Sequence, residues 1–401
     1  MTRAFRTWAV AAAASTLGDS VTGFALGWTA AAHGPGVAGV VLTLQSVPLC
    51  LLVLLGGAVA DRWGIRRTMV CCDAAMVLVL LVFLTSAGGA VSVTALCLLA
   101  VAAGTAAALR RPADGAFPRL FATDEQLARA LASVSLLQQV ARTSGPALGG
   151  LLLGLGGLPL TTGVDVGTYL LVLAVLLRVR PPHQEPTVPG SSGVRAALRA
   201  ARAAGVVPLL GAVTLVGGSV LPTVVLGVPL AGQERGWGAA TTGAVAGCWT
   251  VGTFAVTSAV ARWGTLGPRA PLVGPPVGAL GVLLLATTDS VRAGALALVL
   301  LGIGTAAWTT AALPVFVRAT PAGMLARFQA LLGFAQNLAV LLALPGLGWV
   351  AGTAGLRPAL GLVAVLLLAS AALPLPAAGD RPRPPAGVTA PPPGQEETDS
   401  R

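Results

Sequence analysis

The sequence predicts an all-α polytopic membrane protein with 12 transmembrane helices in two pseudo-symmetric bundles of six. Of its 401 residues, 55% are hydrophobic and only 10% are charged, and the mean hydropathy is +0.84. Long apolar runs follow one another with short polar stretches between them, and one membrane crossing uses about 20 apolar residues. This composition excludes a soluble enzyme and a disordered chain.

The apolar runs place each helix in order along the chain. In the first half they cover residues 7–31, 37–60, 68–87, 91–109, 132–155 and 160–177, and in the second half 206–230, 239–261, 271–287, 293–313, 331–352 and 358–375. A proline-rich stretch with arginines at helical spacing separates the halves. The predicted domains are an N-terminal bundle (1–177), a cytoplasmic linker (178–204), a C-terminal bundle (205–376) and a disordered cytoplasmic tail (377–401).

The distribution of arginine predicts the orientation. All 25 basic residues are arginines, and with the N-terminus inside, 21 fall in cytoplasmic segments against three outside (Arg235, Arg292 and Arg357). Basic residues resist translocation, so both termini are expected in the cytoplasm and the protein in the plasma membrane. The net charge of +11 is then topological, and no nucleic-acid partner is expected.

An internal repeat supports the division into two sixes. The segment Arg62-Trp63-Gly64 after helix 2 recurs as Arg262-Trp263-Gly264 after helix 8. Two similar halves with parallel topology form a substrate site between them, near the middle of the membrane. Chance similarity in low-diversity apolar sequence is the alternative.

The loop after helix 2 carries the strongest motif. It resembles the Gly-x-x-x-Asp-Arg-x-Gly-Arg-Arg signature of the major facilitator superfamily, with the matching residues Gly57, Asp61, Arg62, Gly64, Arg66 and Arg67. The resemblance implies a cytoplasmic latch in which Asp61 faces residues 325–328. Ile65 replaces the family's first basic residue, so its usual ion pair with an acid at the end of helix 4, here Asp114, must use Arg66 or be absent. The alternative is that these arginines only retain the loop inside.

Helix 5 carries a second motif, formed by Gly145, Pro146, Gly149 and Gly150. It resembles the Gly-Pro-x-x-Gly-Gly core found in exporters of the antiporter type. Together with Gly18-Asp19 in helix 1 and Asp165 in helix 6, it looks like the drug-efflux branch of the superfamily, which includes macrolide-efflux-like and siderophore-exporter-like proteins. An ordinary kinked packing helix is the alternative.

Ionisable residues inside apolar segments are costly and are rarely without function. Asp19 and Arg142 are expected at similar depth in helices 1 and 5, which are neighbours in this fold, so we predict a buried ion pair that proton or substrate binding breaks. Asp165, closer to the outer face, is the second proton candidate. Structural hydrogen bonding is the alternative for both carboxylates. Asp73 is expected to pair with the basic loop.

The cavity between the halves is expected to take its polar and aromatic lining from several helices. The candidates are Phe24, Gln45, Gln138, Trp249, Trp308, Gln336 and Asn337. The five cysteines have no spacing that suits a metal and are interpreted as small core residues.

The resemblance implies a secondary active transporter that exports a small amphipathic molecule by proton-coupled alternating access. Alternatives are an importer, a lipid or siderophore transporter of the same fold, and a non-transporting, receptor-like relative. No enzymatic constellation is visible. The expected partners are a small-molecule substrate and the lipid bilayer, the proton gradient is the energy source without a cofactor, and the protein is expected to be a monomer.

Overall fold

The computed structural model describes residues 3–86, 91–121, 124–179, 202, 207–264, 270–319 and 325–373, and these residues form helices and short turns. In the first half the helices are α1 (Arg3–Ala32), α2 (Pro35–Trp63), α3 (Ile65–Ser86) and α4 (Val93–Ala116), followed by the stretch Asp124–Arg178, which Gly156 and Gly157 break into α5 (124–155) and α6 (158–178). In the second half they are α7 (Val207–Glu234), α8 (Ala239–Trp263), α9 (Ala270–Thr287), α10 (Val291–Ala319), α11 (Leu325–Ala354) and α12 (Leu356–Ala372).

The predicted fold class is confirmed. In the described part of the chain, 10 helical stretches are long and apolar enough to cross a membrane, and one of them, of 50 residues, contains both α5 and α6. The last helix, α12, is apolar but has only 17 residues. A helix of that length is about 25 Å long. The described part of the chain thus contains a helix at each of the twelve predicted positions, eleven of them within stretches long and apolar enough to cross a membrane.

The end of helix 4 was predicted wrongly. We expected it at Leu109, before Arg110 and Arg111, but α4 continues to Ala116 and then into a 3-10 turn, Phe117–Leu120. Arginine usually marks the end of a membrane helix because burying its charge is costly. Here Arg110 has acidic partners inside the bundle, which removes that reason to end the helix.

The internal repeat is visible in the backbone. The glycines that follow the two Arg-Trp segments, Gly64 and Gly264, have φ angles of +90° and +88°. Both end a helix in a conformation that strongly favours glycine. The adjacent Trp63 and Trp263 are both exposed. The two loops therefore share conformation as well as sequence.

The two halves pack together mainly toward one end of the bundle. We call the end where α1 begins and α12 ends the termini face, and the opposite end the far face. Between the halves, α5 packs on α8, α2 on α11, and α1 on α7. Gly39 of α2 meets Gly348 of α11, and Gly150 of α5 meets Gly243 of α8, all toward the far face. Small residues allow these backbones to approach closely.

Two of the predicted domains lie almost entirely outside the described residues. These are the linker at 178–204 and the tail at 377–401, whose boundaries stay predictions.

Candidate functional site

A central cavity of about 530 Å³ opens among the helices of the first half. It extends from Leu26 in α1 to Gly115 and Pro118 at the end of α4, and so reaches the termini face. Four aspartates and three arginines line it, namely Asp19, Asp73, Asp114, Asp165, Arg110, Arg111 and Arg142. A group of ionisable side chains around a cavity inside a membrane bundle is the expected appearance of a substrate or ion pathway.

Asp19 lies on the wall of this cavity and is exposed to it. The hydroxyl of Tyr169 in α6 donates a hydrogen bond to its Oδ1 atom at 2.5 Å. Arg110, Arg111 and Arg142 all contribute a favourable electrostatic interaction with the Asp19 carboxylate. Asp19 is therefore a carboxylate that the lumen can reach and that three arginines surround.

Asp165 lies one helical turn farther toward the far face and is 1% exposed. Its Oδ2 accepts a hydrogen bond from Oγ1 of Thr22 at 2.6 Å, and its Oδ1 accepts one from Oγ1 of Thr168 at 3.2 Å. The bond from Thr22 ties α1 to α6, and the bond from Thr168 lies within α6. Asp165 thus lies behind Asp19, with less access to the lumen.

The most buried arginine in the site is Arg110, which the sequence placed in a loop. Its side chain is 8% exposed, and its Nε lies 3.1 Å from Oδ1 of Asp73 and 3.5 Å from Oδ2 of Asp114. Its Nη1 donates to Oγ of Ser15 at 3.0 Å. Neither oxygen of Asp73 accepts a hydrogen bond, so this pairing is electrostatic.

The arginine network corrects one expected ion pair, that of Asp73, and for Asp114 it agrees with the alternative in which the family's pair is absent. Asp73 pairs with Arg110 and not with the basic loop, because the extended α4 brings the guanidinium beside it. Asp114 pairs with Arg110 one turn earlier on the same helix, and not with Arg66. The spacing of Arg110 and Asp114, four residues apart, was the signal in the sequence that could have revealed this pair.

The predicted pair between Asp19 and Arg142 is not formed. Helices α1 and α5 are neighbours, and Oγ of Ser20 donates to the carbonyl oxygen of Arg142 at 2.8 Å. However, the two charged side chains are not within 4.0 Å of each other; both are exposed to the cavity, and Tyr169 supplies the close partner of Asp19.

A second cavity, of about 270 Å³, lies between the halves. Its walls come from α1, α2, α4 and α5 on one side and from α7 and α11 on the other, and they include the predicted Phe24 and Gln45. Ser20, Gln45 and Arg111 line both cavities, so the two adjoin. The α7 wall contains a π-helical turn, Thr223–Gly227, an irregularity that is often found at functional sites.

The other residues predicted to line the cavity lie in different places. Gln138 lines the central cavity. Trp308 is 4% exposed and belongs to the hydrophobic core, where it packs beside Gly274. Trp249, Gln336 and Asn337 line neither of the two cavities, and the Asn337 amide donates to the carbonyl of Gly333 in its own helix. The prediction is therefore wrong for Trp308, because a large apolar ring in the second half packs inside that half.

The helix-5 motif lies where three helices meet. A methyl group on Gly149 would lie 2.9 Å from the carbonyl oxygen of Val21 in α1, and one on Gly150 would lie 2.7 Å from Cα of Gly243 in α8. Gly145 packs against Ser20 of α1, and the carbonyl of Pro146 faces Gly243. The motif thus allows α5 to contact both its neighbour in the same half and the opposite half.

The signature loop between α2 and α3 is anchored by one of its arginines. Arg66 donates from Nε to the carbonyl of Leu176 at 2.8 Å and from Nη2 to that of Leu177 at 2.9 Å, at the end of α6. Arg62 and Arg67 are exposed. Gly57 lies inside α2. The side chains of Asp61 and of 325–330 are outside the described residues, so the latch stays a prediction.

The described residues contain no group of three or more histidine, cysteine or acidic side chains placed to hold a metal ion. Cys50 and Cys72 are buried, whereas Cys71 is exposed on α3, which differs from the expected core position.

Comparison with known proteins identifies the architecture. The family model described as Major Facilitator Superfamily matches residues 8–291. Among curated proteins, none matches significantly. Similar solved structures include the nucleoside transporter NupG (TM-score 0.68, 14% identity, 93% of this chain and 99% of that one). A bacterial homologue of the iron transporter ferroportin in an inward-facing state is also similar (TM-score 0.67, 16% identity, 92% and 97%). The POT family transporter PepTSo is a third (TM-score 0.70, 13% identity, 93% and 97%). At these identities the likeness shows the fold.

Proposed function

Because the chain belongs to the major facilitator superfamily, and is therefore a membrane transporter, we propose that it exports a small amphipathic molecule in exchange for protons by alternating access. The proposed branch is the drug-efflux branch, with the plasma membrane as its location and both termini in the cytoplasm. The helix-5 motif supports the outward direction, since it resembles that of antiporters and lies at the contact between the halves.

The observation that carries the proposal is the exposure of Asp19 to the central cavity. A carboxylate on that wall can exchange a proton with the lumen and, through Tyr169, links α1 to α6. The other ionisable groups that interact with it are Arg110, Arg111, Arg142, Asp73, Asp114 and Asp165. Protonation of Asp19 raises the net charge of this group of residues by one. A substrate that interacts with these charges would therefore bind with a different affinity before and after protonation.

The arrangement of the halves supports alternating access. Close glycine contacts join them toward the far face, while the central cavity reaches the termini face. With the termini in the cytoplasm, this is an inward-open arrangement. A substrate entering from the cytoplasm would reach Asp19 first and the cavity between the halves next.

The test is efflux of a panel of hydrophobic antibiotics and dyes from cells that express the wild type, Asp19→Asn or Asp289→Asn, with and without a protonophore. Asp289 is the matched control because its carboxyl is 79% exposed and, among the described residues, pairs with Arg235 alone. We expect efflux that needs the proton gradient, that is lost in Asp19→Asn and that persists in Asp289→Asn. Efflux that persists in Asp19→Asn would reject the role of Asp19.

A second candidate function is uptake coupled to protons. The observation that favours it is the presence of Arg111 and Arg142 beside Asp19. Protonating Asp19 would leave these two cations uncompensated, so that a proton and an anion would bind together, and an inward proton gradient would then drive entry. Accumulation of a panel member in cells, abolished by the protonophore, would support uptake over export.

A further inference from the structure

Two arginines in the central cavity have no protein partner among the described residues. Arg111 and Arg142 are both exposed and both line this cavity. Within the described part of the chain, neither guanidinium lies within 4.0 Å of a carboxylate or donates a hydrogen bond. A guanidinium has five N–H donors, and those of Arg111 and Arg142 are accessible to a molecule in the cavity.

Three less exposed arginines of the bundle, Arg110, Arg66 and Arg235, are paired. Arg110 contacts Asp73 and Asp114, and Arg66 donates to two carbonyl groups at the end of α6. Arg235 pairs with Asp289 and donates to the carbonyl of Leu285. Arg111 and Arg142 therefore differ from these arginines in having donors free to meet a ligand.

The two free guanidinium groups face the same space. They are close enough to repel each other, and each attracts the Asp19 carboxylate. The three exposed ionisable side chains of the cavity, Arg111, Arg142 and Asp19, sum to one net positive charge, which rises to two when Asp19 is protonated; the remaining lining charges, Arg110, Asp73, Asp114 and Asp165, are buried or half-buried. Two guanidinium groups that converge on one cavity present the forked donors that carboxylates, phosphates and sulfonates fit best.

The surroundings suit an amphipathic ligand. Gln138 and Ser20 add polar groups to the central cavity. Arg111 also lines the cavity between the halves, whose walls include Phe24, Leu49 and Val224. A molecule with its charged end at the arginines could place its apolar part in that second cavity, which has the mixed lining of a small-molecule site.

We propose that the transported molecule is an organic anion, whose acidic group binds Arg111 and Arg142 and whose apolar part occupies the cavity between the halves. This inference rests on the proposed function in taking the central cavity as the substrate pathway. It names the class of substrate, and because protonation of Asp19 frees the two arginines for the anion, it agrees with the proton-coupled uptake given above as the second candidate, whereas exchange would require the proton and the substrate to compete.

The experiment measures binding to the purified, full-length protein in detergent, by thermal shift and by equilibrium dialysis. The probes are a matched triad, namely naphthylacetate, naphthylacetamide and naphthylmethylammonium, which differ in charge on one aromatic scaffold. The variants are Arg111→Gln and Arg142→Gln, and the control is Arg129→Gln, an exposed arginine on α5 outside both cavities.

We expect the wild type to bind the acid at least about tenfold more tightly than the amide or the amine, a difference of about 1.4 kcal/mol. Each cavity variant should weaken acid binding by about tenfold or more, and Arg129→Gln should leave it unchanged. Equal binding of the three probes, absence of acid binding at millimolar concentration, or unchanged acid binding in both cavity variants would each overturn the proposal. Acid binding without proton-driven flux would instead reject the proposed function and leave the anion site standing.

Discussion

The hydroxyl of Tyr169 in α6 donates a hydrogen bond to Oδ1 of Asp19 in α1, with 2.5 Å between the two oxygens. Tyr169 is the only tyrosine in the chain. The bond joins two helices of the first half at the wall of the central cavity, and a hydrogen bond to a carboxylate is stronger than one between neutral groups. Tyr169 is therefore placed to influence the protonation of Asp19 through this hydrogen bond.

The first prediction concerns Tyr169→Phe. Removing the donor makes the ionised form of Asp19 less favourable, so the pH dependence of transport should move to higher pH while the maximal rate falls less than in Asp19→Asn. The measurement is the initial transport rate against pH in vesicles. A pH profile identical to that of the wild type would show that the hydrogen bond only holds the helices together.

The second prediction concerns the burial of Arg110. Arg110→Gln would leave the fully buried Asp73 without its cation and should lower the free energy of unfolding by about 3–5 kcal/mol. The double variant Arg110→Gln with Asp73→Asn should recover part of this loss, because no buried charge is then left alone. Unfolding midpoints in detergent measure both effects, and a double variant no more stable than Arg110→Gln would argue against the pair.

The third prediction concerns the contact of Gly150 with Gly243 between α5 and α8. A methyl group on Gly150 would lie 2.7 Å from Cα of Gly243, so Gly150→Ala must separate the helices near the far face. We expect the far side to open, with faster labelling of a cysteine introduced there. Gly163→Ala is the control, since a methyl group at Gly163 meets nothing within 4 Å. Equal labelling rates in Gly150→Ala and Gly163→Ala would show that the contact between Gly150 and Gly243 does not hold the far side closed.

The fourth prediction separates anchoring from charge in the α2–α3 loop. Arg66 donates two hydrogen bonds to the end of α6, whereas Arg67 is exposed and donates none to the described residues. Arg66→Ala should lower the free energy of unfolding by about 1–3 kcal/mol and reduce transport. Arg67→Ala removes the same charge and should leave stability unchanged. Equal destabilisation by the two changes would indicate that only their positive charge matters.

The sequence predicts the fold well because apolar length and arginine distribution report directly on membrane crossings. The site is predicted less completely. Asp19, Asp165, Gln45 and Gln138, all singled out as polar groups in apolar segments, line the central cavity of the first half, since such groups have few other places to lie. Of the two glutamines, Gln45 alone also lines the predicted cavity between the halves. Arg110 and Arg111 were missed because an arginine at the end of an apolar run has the same sequence pattern whether it leaves the membrane or turns inward to an acid. Only the packing of α3 against α4 distinguishes the two cases.

The last prediction separates binding from coupling at Asp19. If Arg111 and Arg142 bind the acidic end of the substrate, the ionised Asp19 competes with that acid for the same cations. Asp19→Asn removes this competition permanently and should bind naphthylacetate more tightly than the wild type at neutral pH, although it no longer couples transport to protons. The wild type should take up protons when the acid binds, and Asp19→Asn should take up fewer. Proton uptake with the acid favours proton-coupled uptake of the substrate, whereas proton release on binding would favour exchange. Both are measured by adding the acid to purified protein in weakly buffered solution with a pH indicator. Weaker acid binding by Asp19→Asn would mean that the carboxylate holds the arginines in place and does not compete with the substrate.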